Sequence, residues 1–310
     1  MKRTISVATR GTQLALRNTR ITITRDDETL ADIPAEDLGL IVLESTGISI
    51  SSGVMAALGK TGGAILACDE TFHPCGMFIP LDVHSLHSER VRLQSEMSAP
   101  LKKNLWARIV GAKIANQAAL LRGDDAVPLR RLAETTRSGN IGAHESQASR
   151  IYWPLVFREC AAITKHPFRR HREGAPPNNL LNYGYAVLRA ATARALCMAG
   201  LQPVIGLHHR NRYSGFCLAD DVMEPYRPVV DSVVREFAVQ GRLEIDKDVK
   251  QGLIGVLYRE VSILGESTSL AVALESTASS LAHAIEEQVK NGASAPVAAK
   301  ELQLPEIQPS

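Results

Sequence analysis

The chain has 310 residues, 45% of them hydrophobic, and a formal net charge of +2. That is length enough for two domains with packed cores, and the overall charge singles out no class of partner. No uncharged run approaches the ~20 residues of a membrane span, MKRTISVATR lacks an apolar signal region, and the five scattered cysteines form no CxxC, so a soluble cytoplasmic protein with reduced thiols is expected.

The first part of the chain has β character. ISVA (5–8), QLALRN (13–18) and RITITR (20–25) alternate apolar and polar between turn residues, and LGLIVLES (38–45) is the apolar run of a buried strand. Ser51-Ser52-Gly53 caps a short helix that Gly62-Gly63 ends, and AILACDE (64–70) and CGMFIPL (75–81) are further strands. GKTGG is not a phosphate loop, because the leading glycine is missing. His73, Cys75, His84 and His87 with Cys68 invite a zinc reading, but their spacing fits no standard site and Pro74 and Pro80 interrupt it.

From about Leu86 the period becomes helical. PLKKNLWARIVGAKIANQAALLR (100–122) repeats Leu101, Leu105, Ile109, Val110, Ile114, Ala118 and Leu121 at three- and four-residue steps. VPLRRLAETTRSG follows, then HESQASRIYWPLVF (144–157), read as a helix with Glu145 in its first turn and leaning toward the apolar face of Ala148, Ile151, Tyr152 and Leu155. An acid there is costly unless paired or bound to a cation. HPFRRHREGAPPNN (166–179) is a basic loop whose arginines suit phosphate contacts. In the long helix NLLNYGYAVLRAATARAL, Asn182 and Tyr185 lie near the N-terminal end. PVVDSVVREFAVQG (228–241), VKQGLIGVLYREVSIL (249–264) and STSLAVALESTASSLAHAIEEQVKNG (267–292) read as three more helices, and the Pro- and Ala-rich remainder as unordered. The expectation is an α+β chain: a β-rich domain over 1–85, an α-helical domain over 86–290, and a disordered tail over 291–310.

Two features point to chemistry. Between Arg150 and Gly215 stand ten lysines and arginines against two acids, Glu159 and Glu173, a local basic field suited to a polyanion. GLHHRNRYSGFCLADDVMEPYRP then delivers His208 and His209 one loop ahead of Asp220, Asp221 and Glu224 at the start of a helix, where i, i+3 and i+4 spacing shares a face. Imidazole and carboxylates together suit a divalent cation, and Glu145 is the candidate for a further oxygen ligand.

Three blocks, HESQASRIYWPLVF, NNLLNYGYAVLRAATARAL and GLHHRNRYSGFCLADDVMEPYRPVVD, together with EDLGLIVLES and MAALGKTGGAILACDE, resemble the CRISPR-associated integrase, the universal endonuclease subunit of spacer acquisition, in its type II-like variant. The resemblance spans about residues 4–290. It implies metal ligands at Glu145, His209 and Glu224, with His209 preferred over His208 because the family's histidine stands fifteen residues before its ligand acid. Asp221 is a further expected ligand, and Ser146 and Ser149 stand where glycine or alanine is usual.

The implied reaction is a Mg²⁺- or Mn²⁺-dependent transesterification joining a prespacer 3′-hydroxyl into the CRISPR repeat, with DNA endonuclease activity beside it. Arg169, Arg170, Arg172, Asn182, Tyr185, His208, Arg210 and Arg212 are the expected DNA contacts. Implied partners are double-stranded DNA (prespacer and repeat), a second copy of the chain, a dimer of the small ferredoxin-like adaptation partner, and the type II effector nuclease. The alternatives are a metal-dependent nuclease for branched DNA, a DNA-binding scaffold with a vestigial site, and a metal-dependent small-phosphate hydrolase.

Overall fold

The structure, a computed structural model, describes residues 2–69, 74–81, 83–160, 167–210 and 212–308. His73 of the zinc pattern and His166 of the basic loop lie outside these. A β-strand region comes first and a mostly helical region follows.

The strand region holds β1 (Arg3–Val7), β2 (Gln13–Arg17), β3 (Arg20–Arg25), β4 (Glu28–Pro34), β5 (Leu38–Leu43) and β6 (Ser49–Ile50), then helix α1 (Ser52–Thr61), β7 (Ala64–Cys68) and β8 (Pro74–Phe78). One sheet runs β4-β3-β2-β6 and the other β1-β5-β7-β8, with β1, β5 and β7 parallel and β8 antiparallel to β7. β4 was not foreseen. Its ETLADIP has two acids and a proline, and it forms because Asp26 and Asp27 take positive φ and turn the chain back on β3. β5 is buried on both faces, as a parallel strand must be: Leu40 and Val42 join the helical core, while Leu38 and Ile41 join the core of the strand region.

The helices are α2 (His87–Ser95), α3 (Ala99–Ala119), α4 (Val127–Thr135), α5 (Ile141–Val156), α6 (Asn178–Met198), α7 (Cys217–Val222), α8 (Arg227–Val239) and α9 (Lys247–Gly255). After them come strands β9 (Glu260–Ile263) and β10 (Glu266–Ser269), and helices α10 (Leu270–Val289) and α11 (Ala295–Ala299). α3 and α6 are the two longest helices and carry fully buried stripes, such as Leu101, Leu105, Ile109 and Ile114 on α3 and Leu180, Leu181, Val187 and Leu188 on α6. Gly184 lets α6 and α8 cross closely, since a Cβ there would stand 2.5 Å from Val230 Cγ1.

Three expectations fail here for physical reasons. α5 begins at Ile141, so Glu145 sits in the second turn rather than at the positive helix end. The expected helix over 249–264 breaks into α9, a 3₁₀ turn and β9, because Leu264 and Gly265 take positive φ and fold a two-residue hairpin onto β10. The expected disordered tail over 291–310 packs on the helices in its described residues: Ala298, Ala299 and Leu302 are buried. Glu306 bridges Ser262 through two backbone hydrogen bonds, and Asn116 donates to the carbonyl of Pro305. Small apolar residues in a polar-looking segment found a groove that α3 and α10 leave open.

Asp231 on α8 ties α5 and α6 together. Its carboxylate, 1% exposed, accepts from Tyr152 Oη at 2.8 Å and also from Tyr185 Oη. Burial pushes its carboxyl up to about 6, although the two tyrosines, Arg227 and Arg170 favour the charged form. A carboxyl whose pKa is raised on folding supports the native state most at acid pH and loses that support as pH rises toward 6. Urea denaturation of Asp231→Asn should therefore move in the variant's favour between pH 4 and pH 8, relative to the unsubstituted chain, by on the order of 2–3 kcal/mol. A pH-independent difference would refute this.

Candidate metal and nucleic-acid site

The site assembles where α3, α5 and the segment from the histidine loop to α8 meet. The loop is held by Asp221, which is fully buried. Its Oδ2 accepts from the Leu207 and His208 amides at 2.7 and 3.0 Å. Its Oδ1 faces the His209 amide at 3.2 Å and His209 Nδ1 at 2.6 Å. Gly206 permits this wrap, for a Cβ there would lie 2.4 Å from the His209 carbonyl oxygen and 3.1 Å from Asp221 Oδ2.

The sequence reading expected Asp221 as a further ligand; here both of its oxygens accept hydrogen bonds from the histidine loop. Asp221 engages the imidazole through Nδ1, leaving Nε2 without a hydrogen-bond partner among the described residues, the arrangement by which a carboxylate orients a metal-binding histidine. The hydrogen bond to Asp221 holds the proton of His209 on and raises its pKa against partial burial, with Glu224 and Asp220 adding to the effect. Trp106 of α3 lines the same wall, stacked flat on His208 at 4.6 Å and edge-on to His209 at 5.8 Å.

The three acids of the block do not share one task. Asp220 turns to α6 and accepts from Arg189 Nε at 2.6 Å. Glu224, 3% exposed, opens a 3₁₀ turn after α7 and points toward α3 and α5. Its Oε1 lies 3.0 Å from Arg227, and its Oε2 lies 2.8 Å from Lys113 Nζ. The same ammonium donates to Glu145 Oε1 at 2.8 Å. Burial would push the Glu224 carboxyl up, yet Arg227 and Lys113 hold it below the usual range. Burial likewise opposes the charge on Lys113, which Glu224 and Glu145 raise above its ordinary value.

Sequence reasoning missed Lys113 and Arg227. The signal for the first was present: Lys113, Asn116 and Gln117 sit at positions i+3 and i+4 on the apolar stripe of α3, where polar side chains need partners.

Glu145 and Glu224, from separate elements, thus converge on one cation, and His209 stands close enough for its charge to couple with Glu224. Among the described residues no three His, Cys, Asp or Glu side chains are gathered tightly enough to enclose an ion as they stand. The donor chemistry nevertheless fits a divalent cation: two carboxylates drawn to a shared positive charge and an oriented imidazole.

Of the expected DNA contacts, Arg169, Arg172, Arg210, Arg212 and His208 are exposed. Arg212 also lies over the Tyr213 ring at 4.7 Å. Tyr185 does not face solvent; it is buried with its hydroxyl on Asp231. Asn182 accepts from Arg170 and donates to the Arg172 carbonyl, and Arg170 also donates to Asn178, so these side chains knit the basic loop to α6. Asn182 and Tyr185, expected at a ligand, both have internal partners here.

A protein-family model described as CRISPR associated protein Cas1 matches residues 5–261. The chain belongs to the Cas1 family. The CRISPR-associated endonuclease Cas1 of Neisseria meningitidis serogroup C (strain 8013) is 38% identical over 305 residues, covering 96% of this chain and 94% of that one. A Cas1 endonuclease of Pyrobaculum aerophilum is 27% identical over 247 residues, covering 76% and 82%. The fold is shared with a casposase bound to integration product (TM-score 0.74, 18% identity, 93% of this chain and 91% of that chain) and with Cas1 of Thermotoga maritima (0.71, 15%, 93% and 97%). It also matches a Cas6-RT-Cas1–Cas2 complex chain (0.77, 18%, 98% of this chain and 36% of that chain). Among the described residues no helix is long and apolar enough to cross a membrane.

Proposed function

We infer that this Cas1-family chain is the DNA endonuclease and integrase of CRISPR adaptation, with Glu145, His209 and Glu224 as its metal-holding residues and Mg²⁺ or Mn²⁺ as the ion. The observation that carries the assignment is the meeting of Glu145 and Glu224 on a single cation beside an imidazole whose Nδ1 is engaged by Asp221. Two carboxylates with one imidazole suit either ion, the nitrogen favouring Mn²⁺.

In the reaction a prespacer 3′-oxygen bonds to a phosphorus at the repeat boundary as the bond from that phosphorus to the repeat's own 3′-oxygen breaks. The attacking hydroxyl gives up a proton and the leaving oxygen gains one, so the exchange of esters is nearly balanced. The bound cation supplies Lewis-acid polarisation of the phosphate and lowers the pKa of the hydroxyl. Glu145 and Glu224 would hold it, Asp221 would orient the His209 ring through Nδ1, and Trp106 packs the loop. No protein nucleophile is required. With water in place of the 3′-hydroxyl the same site cuts DNA, which is the endonuclease activity.

Arg169, Arg172, Arg210 and Arg212 are free of strong internal ion pairs among the described residues and are assigned to the phosphate backbone. Duplex affinity should then fall steeply with salt, and Arg172→Ala or Arg210→Ala should each lower the slope of log affinity against log salt by roughly one. An unchanged slope in both variants would remove these arginines from the interface. Partners assigned to the chain are a second copy of itself, a dimer of the small ferredoxin-like adaptation partner and, in the type II setting, the effector nuclease. The Cas1–Cas2 complexes sharing this fold support such assembly.

The deciding assay mixes the chain with its partner, a labelled short duplex and a supercoiled repeat-bearing plasmid. Label covalently entering the plasmid is expected; trimmed fragments alone would favour a purely hydrolytic nuclease.

A further inference from the structure

Lys113 stands between Glu145 and Glu224, the two carboxylates assigned to hold the divalent ion. Its ammonium is 2.8 Å from Glu145 Oε1 and 2.8 Å from Glu224 Oε2. Those carboxylates come from α5 and from the turn after α7, and with nothing between them they repel one another at short range. An ammonium cannot keep both contacts while a metal ion takes the same two oxygens at coordination distance. One must leave.

The structure offers the lysine a destination. A cavity of about 210 Å³ adjoins the ion pair and is lined by Lys113, Glu145, Ser149, Trp153 and Gln117 among others. Gln117 lies one helical turn beyond Lys113 on the same face of α3, is 4% exposed, and its Oε1 is buried with no hydrogen-bond partner among the described residues. A flexible four-carbon stem reaches an i+4 neighbour readily. A buried amide oxygen left unpaired is costly and is satisfied by an arriving ammonium.

We propose that Lys113 is a built-in counter-cation of the Glu145/Glu224 pair, which a divalent ion displaces on binding, the ammonium moving to Gln117 Oε1 in the adjoining cavity. Lys113 is then a positioning residue. It keeps the two carboxylates assembled in the metal-free protein and sets how tightly the metal binds. The proposal rests on the reading that Glu145 and Glu224 hold the metal.

The experiment titrates Mn²⁺ into full-length protein by calorimetry and measures melting in chelator. Lys113→Met keeps the length of the stem and removes the competitor. It should bind Mn²⁺ about tenfold tighter, in the usual range of coupling between two sites, and should melt several degrees lower than the unsubstituted chain in chelator, recovering when Mn²⁺ is added. Gln117→Leu removes the landing place, so it should weaken Mn²⁺ binding without lowering the metal-free melting temperature; this variant keeps the test alive if Lys113→Met fails to fold. Unchanged or weaker Mn²⁺ binding in a folded Lys113→Met, or unchanged binding in Gln117→Leu, overturns the displacement. Glu224→Gln separates the two claims. If it binds Mn²⁺ as the unsubstituted chain does, the metal-site reading itself fails; if it loses binding while Lys113→Met shows no change, only the counter-cation role fails.

Discussion

Glu224→Gln and His209→Ala should each lower strand joining at least about a thousandfold, the equivalent of roughly 4 kcal/mol of transition-state charge stabilisation, while duplex binding stays within a few-fold. The division follows from the architecture. The arginines assigned to the phosphate backbone are exposed, whereas Glu224 is 3% exposed and bonded to Arg227 and Lys113. Removing one carboxylate charge at the centre therefore alters the cation site and hardly touches the DNA-facing surface. Glutamine is the informative substitution, because alanine would leave Lys113 and Arg227 without their shared anion and confuse lost chemistry with lost stability. Electrophoretic mobility shifts alongside plasmid joining check both halves. Joining that persists in either variant would mean the wrong side chains have been assigned.

Asp221→Ala should be the most damaging change that removes no metal ligand. Its carboxylate serves three consecutive backbone amides and the His209 ring, and its loss leaves buried donors unpaired at a cost of about 3–5 kcal/mol. The histidine loop should loosen, the imidazole should lose its fixed orientation, and metal affinity should fall about 10–100-fold. Asp220→Ala is the matched control. It breaks only the partly exposed pair with Arg189, for which about 1 kcal/mol or less is expected. Melting curves and Mn²⁺ titrations of the two variants should therefore diverge sharply. Equal behaviour would show that Asp221 is an ordinary buried acid.

Much of this was open to the sequence. The alternating runs before residue 45 and the three-and-four steps of 100–122 reflect burial directly. What failed was assignment among neighbours. Asp220, Asp221 and Glu224 share a short stretch, but α7 stops at Val222 and a 3₁₀ turn carries Glu224 round toward α3. Each acid consequently meets a different partner, a divergence that helical spacing does not encode.

Tyr185 read as a ligand contact because it lies near a helix N-terminus, and only the packing of α8 shows Asp231 claiming its hydroxyl. The tail read as disordered from its prolines and alanines; the groove between α3 and α10 that accepts Ala298, Ala299 and Leu302 exists only in three dimensions. Lys113 was legible in principle, as a charge on an apolar stripe, but its two acidic partners lie 32 and 111 positions away in sequence.

The central claim is that Glu145, His209 and Glu224 close on one divalent ion. Anomalous diffraction from crystals of the Mn²⁺-loaded protein tests it most directly. A peak is expected within roughly 2–2.5 Å of a Glu145 oxygen, a Glu224 oxygen and His209 Nε2. A peak elsewhere, or one whose ligands omit any of these three side chains, would contradict the account.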